Sequence, residues 1–262
     1  MTSSKDTHKY ILITIDVEEF DIPREYGIDI PEADSIEVSR QGLERLSKII
    51  SSFNIPCTIY TTALFAKKQP QLIRSLADRH EIASHGYYHS NHGNDDLRAS
   101  KNDIEDIIGK MIYGYRQPRL MPVDTKTLSI AGYTYNSSIN PTWIPLRYMN
   151  LNKPKKPFHD GNIMNLPISV TPFIRFPLFW LSFKNLPVGL YKRLSVLTLN
   201  RDRYLHLIFH PWEFADIEDY KLPNYIKRPC GMALCDRLSD FLGWIRHHGT
   251  FVTCQGYLKL TL

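Results

Sequence analysis

Four carboxylates follow directly after an apolar run at 10–15, namely Asp16, Glu18, Glu19 and Asp21. The run is uncharged and rich in β-branched residues, which predicts a buried strand that ends where the acidic residues begin. In parallel α/β sheets, ligands and catalytic residues collect at the carboxyl ends of the strands. Burying like charges together is costly unless a cation or an altered proton affinity compensates. We therefore interpret the first three acids as a functional cluster, and Asp21 as a charge on a surface loop.

Three later motifs also follow apolar strands, and they are His85-Gly-Tyr-Tyr-His89, Arg116-Gln-Pro118 and His210-Pro-Trp-Glu213. In a closed or nearly closed barrel, all four strand ends would open into one mouth. Two histidines four residues apart, together with one carboxylate from another strand, are typical of an open mononuclear metal site. His92 is a competing ligand, but it lies three residues beyond His89 in the same loop.

Strands and helices alternate along most of the chain, which predicts right-handed βαβ units and a parallel sheet. The further predicted strands are 57–61, 81–84, 113–115, 133–136, 204–209 and 250–254, and the predicted helices are 39–52, 69–80, 95 or 96 to 108, 124–131 and 232–247. Between 141 and 200 the prolines and aromatic residues predict little beyond strands or a hairpin at 162–170. With 262 residues, we expect a single catalytic domain spanning 1–262.

Charge and hydropathy exclude several classes of partner and location. The formal charge of +5 is small and dispersed, which argues against a nucleic-acid partner. The first apolar run is too short for a signal peptide, so we expect a cytoplasmic protein. Segment 172–183 is too short to span a bilayer, but its aromatic residues beside basic ones suit peripheral contact with the inner membrane face. Four dispersed cysteines do not complete a zinc site and are expected to be reduced thiols.

Taken together, the four motifs resemble those of the polysaccharide deacetylases, the NodB-homology enzymes of the carbohydrate esterase family 4 type, over residues 11–254. The resemblance implies a distorted (β/α) barrel, usually with seven parallel strands. It also implies removal of N-acetyl or O-acetyl groups from a sugar or polysaccharide precursor by metal-activated water. One divalent metal ion is implied, with zinc expected and cobalt, nickel, manganese or iron as alternatives. The family's roles make Asp16 the catalytic base, His85 and His89 metal ligands, Arg116 the residue that orients the base, and His210 the general acid.

The first motif departs from the family's commonest form, because Val17 stands where a second aspartate is usual. In relatives that deformylate a lipid-linked aminosugar, the acid after the valine binds the metal, which implies Glu18 as the third ligand. Alternation along an extended chain agrees, since Asp16 and Glu18 would share a side while Val17 packs away. Glu19 remains an alternative, because the loop after the motif need not stay extended.

The remaining site residues are candidates for substrate contact and for tuning the acid. Trp212 suits an apolar wall against a sugar face, although a core position at the barrel rim is an equally good interpretation. Tyr88 and Pro118 are further candidate contacts, and Asp160 is a guess for the acidic partner of the general acid. Two alternative functions stay open, namely a deformylase or deacetylase of a lipid-linked sugar at the membrane face, and a sugar-binding barrel that has lost activity.

Overall fold

The computed structural model describes residues 8–90, 96–145 and 147–261. Its strands are β1 Tyr10–Val17, β2 Thr58–Thr61, β3 Glu81–Ser84, β4 Gly114–Tyr115, β5 Tyr135–Asn136, β6 Trp143–Ile144, β7 Tyr148–Met149, β8 Phe158–Asp160, β9 Ile163–Asn165, β10 Tyr204–Phe209 and β11 Thr250–Phe251. Its α-helices are α1 Glu32–Ser52, α2 Ala63–Lys68, α3 Pro70–Ala77, α4 Asp96–Ile108, α5 Thr125–Ala131, α6 Trp180–Asn185, α7 Val188–Asp202, α8 Asn224–Lys227, α9 Gly231–Ile245 and α10 Cys254–Thr261. Three short 3-10 helices cover Ile22–Tyr26, Pro118–Leu120 and Pro211–Phe214.

Seven parallel strands form one continuous sheet in the order β10, β1, β2, β3, β4, β5, β9. Strand β8 extends this sheet in antiparallel pairing with β9, and β11 pairs in parallel with the start of β1. A backbone hydrogen bond of 3.1 Å from Ser169 N to the His206 carbonyl links the chain after β9 back to β10. The predicted distorted (β/α) barrel with seven parallel strands is therefore confirmed.

Strand β1 lies at the centre of the molecule and is buried along its whole length. Its odd-numbered side chains, from Ile11 to Val17, pack in the large core between the sheet and the helices. Tyr10 and Leu12 belong to a separate cluster on the opposite face of the strand. Because successive side chains of a strand alternate between faces, Asp16 shares the face of Leu12, while Val17 points into the outer core.

The structure differs from the sequence prediction mainly between residues 141 and 200. This region contains α6 and α7, which were not predicted, because α7 has apolar residues on all sides and lacks a single apolar stripe. The predicted final strand is limited to β11, and Cys254 begins helix α10 instead. All four cysteines are free and buried. Among the described residues, no helix is both long and apolar enough to cross a membrane.

Candidate active site

A pocket opens at the carboxyl ends of β1, β3 and β10, and residues from three of the four sequence motifs line it. The motif residues at its wall are Asp16, Glu18, His85, His89, His210 and Trp212. Arg116, from the end of β4, lies fully buried and contacts Asp16. The parallel strands bring these ends together because each strand enters the sheet in the same direction. Their convergence is the arrangement expected from the order of the motifs.

The side chains of Glu18, His85 and His89 form a buried group whose ligand atoms all lie within 4.8 Å of one another. Glu18 Oε2 is 3.1 Å from His85 Nε2 and 2.9 Å from His89 Nε2. Tetrahedral zinc sites with bonds of about 2.0–2.2 Å separate their ligand atoms by about 3.3–3.5 Å. A shift of only a few tenths of an ångström would therefore admit an ion, and the donor set fits a divalent metal.

Hydrogen bonds on the far side of each imidazole determine which ring nitrogen faces Glu18. Nδ1 of His85 donates to the carbonyl oxygen of Arg116 at 2.9 Å. Nδ1 of His89 is 2.7 Å from Oδ1 of Asp21. With protons on Nδ1, both Nε2 lone pairs are free to bind a cation, an arrangement that is common around metal-ligating histidines.

Asp21 is the first correction to the sequence interpretation, which placed it on a surface loop. Only 4% of its surface is exposed, and its second oxygen accepts a hydrogen bond of 3.1 Å from Arg119. The carboxylate is thus held between a cation and His89. It orients His89, a candidate metal ligand, and is not a charge on a surface loop.

The two neighbouring glutamates point to different partners. Both oxygens of Glu19 are occupied, by the Thr62 hydroxyl at 2.7 Å and by the His89 backbone N–H at 3.0 Å. Glu18 instead faces the histidines, and its Oε1 accepts a hydrogen bond of 3.1 Å from Trp212 Nε1. Burial raises the pKa of Glu18, but the neighbouring histidines lower it more, so the net pKa lies well below its usual value. The geometry therefore favours Glu18 over Glu19 as a ligand.

Asp16 is held by the buried guanidinium of Arg116, one of whose nitrogens donates to Oδ1 at 2.5 Å. The remaining N–H groups of Arg116 donate to Thr14, Ser137 and His206, and its Cζ lies 4.0 Å from the centre of the Tyr60 ring. With every donor used, the arginine has one position. It grips one oxygen of the carboxylate, so Asp16 Oδ2 stays free, 4.0 Å from Nε2 of His85 and 4.0 Å from Nε2 of His210.

His206, for which the sequence suggested no role, supports this arginine. Its Nε2 lies 3.0 Å from Arg116 and must accept, because a guanidinium only donates. The ring proton is therefore on Nδ1, which is 2.8 Å from the Tyr204 hydroxyl. Burial and the adjacent guanidinium hold the pKa of His206 well below its usual value, so the ring stays neutral.

Glu213 occupies the place of the acidic partner that sequence reasoning did not find. Its Oε1 accepts from the backbone N–H of His210 at 2.8 Å and from Nδ1 at 3.0 Å. Burial lowers the pKa of His210, but Glu18, Glu213 and Asp16 raise it more, and the net pKa lies above its usual value. Asp160 is exposed on β8 and accepts from Thr125, so the guess that it partners His210 is wrong. The sequence signal for this partner was an acid three residues after His210. This acid, Glu213, caps the 3-10 helix Pro211–Phe214 in the manner of a capping box.

The proposed substrate contacts are only partly brought to the pocket. Trp212 lines it with 2% of its surface exposed and stacks on His210 at 5.3 Å, a position compatible with both interpretations of this residue. Tyr88 instead lines a separate cavity beside Glu19, and Pro118 is buried outside the pocket wall, so the structure does not support contacts from them. His92 lies outside the described residues.

Several pocket residues were missed because they lie outside the residues of the four motifs. They are Ile22, Glu25, Arg119, Leu120, Arg147, Tyr148, Phe179, Trp180 and Ile208. Trp180 contacts both His210 and Trp212 edge-on, at 5.4 and 5.3 Å. Arg119 and Arg147 form ion pairs with Glu25 at the same wall. The pocket thus has an aromatic and aliphatic side beside the acidic and imidazole groups.

Comparison with known proteins gives a family match over half of the chain and a wider match of fold. Residues 5–135 match the family model described as polysaccharide deacetylase. A putative polysaccharide deacetylase from Mycobacterium smegmatis has a TM-score of 0.65 and 20% identity, over 99% of this chain and 92% of that one. Comparison with curated protein sequences gave no match.

Two further solved structures share the fold at lower identity. A probable polysaccharide deacetylase from Pseudomonas aeruginosa PAO1 has a TM-score of 0.66 and 17% identity, over 94% of this chain and 88% of that one. Puue allantoinase has a TM-score of 0.66 and 16% identity, over 94% of this chain and 87% of that one. At such identities the likeness concerns the fold alone.

Proposed function

Because the chain belongs to the polysaccharide deacetylase family, we propose that it is a metal-dependent hydrolase that removes an N-acetyl or O-acetyl group from a sugar or polysaccharide precursor. One observation carries this proposal, the buried group of Glu18, His85 and His89 beside the free oxygen of Asp16 and the imidazole of His210. The whole chain, residues 1–262, would act as one catalytic domain.

Glu18, His85 and His89 would hold the metal ion. Two imidazoles and one carboxylate suit zinc best, although cobalt, nickel, manganese and iron accept the same set. Such a cation supplies Lewis-acid chemistry, since it polarises an acyl carbonyl and lowers the pKa of water. The Asp21 carboxylate would keep His89 in the ligating tautomer, and Trp212 would fix the Glu18 carboxylate.

Asp16 is proposed as the general base. Its Oδ1 is used by Arg116, while Oδ2 faces the pocket between two histidines, where it can remove a proton from the attacking water. The fully hydrogen-bonded guanidinium fixes the direction of this carboxylate. Arg116 therefore acts on the reaction only through the position and charge of Asp16.

His210 is proposed as the general acid. Glu213 binds Nδ1, which leaves Nε2 facing the pocket to donate a proton to the leaving nitrogen or oxygen. The raised pKa of His210 keeps the ring protonated at higher pH than an ordinary histidine. Base and acid thus lie at the carboxyl ends of two neighbouring parallel strands, β1 and β10, with Oδ2 and Nε2 separated by 4.0 Å.

A matched pair of glutamate variants tests the metal assignment. Glu18→Gln should lose bound metal and acetate release, whereas Glu19→Gln should retain metal, because Glu19 contacts Thr62 and a backbone N–H instead. Metal content would be measured on the purified proteins, and acetate release on a panel of N- and O-acetylated sugars. Full metal content in Glu18→Gln, or no acetate from any substrate with the metal-loaded protein, would contradict the proposal.

The alternative functions have less support. A sugar-binding barrel that has lost activity has no need to keep Glu18, His85 and His89 together, or to hold Asp16 and His210 beside them, and this arrangement supports the hydrolase over it. A deformylase would use the same groups, and formate release in the same assay would reveal it.

A further inference from the structure

A surface of exposed apolar side chains flanked by cations lies beside the pocket, formed by Trp143, Met149, Phe173, Ile174, Lys153, Lys156 and Arg201. We call it the apolar-basic surface. Met149, Phe173 and Ile174 have 81%, 80% and 79% of their area exposed, and Trp143 has 56%. Among large hydrophobic residues in the described ranges, only Ile130, at 73%, approaches the first three. Their concentration in two segments of the chain is therefore unusual.

Hydrogen bonds hold these two segments next to each other. The Thr142 hydroxyl donates to the carbonyl oxygen of Arg175 at 2.7 Å. In return, the Arg175 guanidinium donates to the carbonyls of Pro141 and Lys153, at 3.2 and 2.7 Å. Trp143 and Met149 lie directly opposite each other in the antiparallel pair β6 and β7, so their side chains share a face.

The loop that carries Phe173 and Ile174 is closed by hydrogen bonds and has a strained backbone. Phe173 and Arg175 have φ values of 68° and 53°, in the left-handed region that bulky residues rarely adopt. Across the base of the loop, Thr171 N donates to the Phe176 carbonyl at 2.8 Å, and Phe176 N donates to the Thr171 hydroxyl at 3.0 Å. The chain thus maintains a strained loop whose tip places two large apolar side chains in water, which points to a partner outside the chain.

Cations surround this apolar tip and indicate the chemistry of the partner. The Arg201 guanidinium lies 4.5 Å from the centre of the Phe173 ring. Lys153, whose carbonyl accepts from Arg175, is exposed, as is Lys156 three residues further along, and neither side chain forms an ion pair with a described residue. Apolar tips with flanking lysines and arginines match the boundary of a bilayer, where rings enter the acyl region and cations meet lipid phosphates.

We propose that the apolar-basic surface docks the protein on a bilayer that contains anionic phospholipids. Phe173 and Ile174 lie at the tip of a loop that is closed between Thr171 and Phe176, a form that suits insertion between headgroups better than a flat protein interface does. Met149 directly follows Tyr148, a residue of the pocket wall, so the docked bilayer would lie at one side of the pocket rim. This inference goes beyond the proposed function and depends on neither metal nor turnover.

Co-sedimentation of the full chain with vesicles tests the docking directly. Vesicles of phosphatidylcholine with phosphatidylglycerol should bind the protein at low salt, and pure phosphatidylcholine vesicles should bind it weakly. The double variant Phe173→Ser and Ile174→Ser should bind at least about tenfold more weakly, because two inserted side chains are lost. Each of the variants Lys153→Gln and Lys156→Gln should weaken vesicle binding about fivefold at low salt. At high salt, the difference in binding between each variant and the wild type should disappear.

Matched controls separate this surface from general apolar or cationic effects. Ile130→Ser removes an equally exposed isoleucine outside the surface, and Lys48→Gln removes an exposed cation on α1, so both should bind as the wild type does. Thermal melting by circular dichroism confirms that each variant is folded. Three results would overturn the proposal. The first two are no wild-type binding to anionic vesicles and equal binding by the double variant. The third is a wild-type protein that binds no vesicles but forms a dimer, which the double variant converts to a monomer.

Discussion

The substitution Glu213→Gln separates the charge of the acidic partner from its geometry. Glu213 Oε1 accepts from the backbone N–H and from Nδ1 of His210, at 2.8 and 3.0 Å. A glutamine oxygen can accept both bonds, so only the negative charge is lost. Burial lowers the pKa of His210, and the carboxylates of Glu18, Glu213 and Asp16 together raise it above its usual value. Removing one of these charges should therefore lower the pKa.

The direction and size of the change in the pH profile follow from the contact between Glu213 and His210. A general acid must be protonated, so activity is lost as the pH rises through the pKa of His210, and in Glu213→Gln this loss should begin at lower pH. A hydrogen bond to a charged group contributes about 1.5–3 kcal/mol, against about 0.5–1.5 kcal/mol between neutral groups. The difference of about 1–1.5 kcal/mol corresponds to about a tenfold lower turnover on the alkaline side. On the acidic side, where both proteins keep the proton, turnover should be similar.

The assay is kcat for acetate release as a function of pH, measured on metal-loaded protein. Metal content should match that of the wild type, since Glu213 contacts neither Glu18 nor the two ligand histidines, and circular dichroism should show that the variant is folded. Glu218→Gln, an exposed acid five residues further along, is the matched control and should leave the profile unchanged. An unshifted alkaline limb in Glu213→Gln with normal metal content would refute the role given to this carboxylate.

Three other predictions concern the metal group and the catalytic pair. His85→Ala and His89→Ala should each abolish bound metal and activity while the barrel stays folded, and unchanged metal stoichiometry in both would remove the assignment. Asp16→Asn and His210→Ala should keep the metal but reduce turnover by roughly 10²–10⁴-fold. Wild-type turnover of an amide substrate by His210→Ala would rule out His210 as the general acid. Asp21→Asn should weaken metal binding by about 10–100-fold in calorimetric titration, because no charge then enforces the tautomer of His89. Wild-type metal affinity in this variant would show that the Asp21 carboxylate is dispensable.

The sequence by itself determined the parts of this protein that depend on local pattern. Short apolar runs predicted β1, β3 and β10, and the polar residues that follow each run reach one pocket. The period of two along an extended chain predicted that Val17 and Glu18 point in opposite directions. Val17 does pack in the outer core while Glu18 faces the histidines, because the strand geometry continues through this motif.

Only the tertiary structure decided which residues surround the group of Glu18, His85 and His89. Asp21 lies 68 positions from His89 in the chain, and its backbone has turned to φ −99° and ψ −2°, so alternation no longer tells where its side chain points. Trp180 and Arg147 reach the pocket from the proline-rich region, where no period predicted a helix or strand. Their positions follow from how loops of distant sequence pack over the barrel mouth, and such long-range contacts form only once the core has fixed where each loop begins and ends.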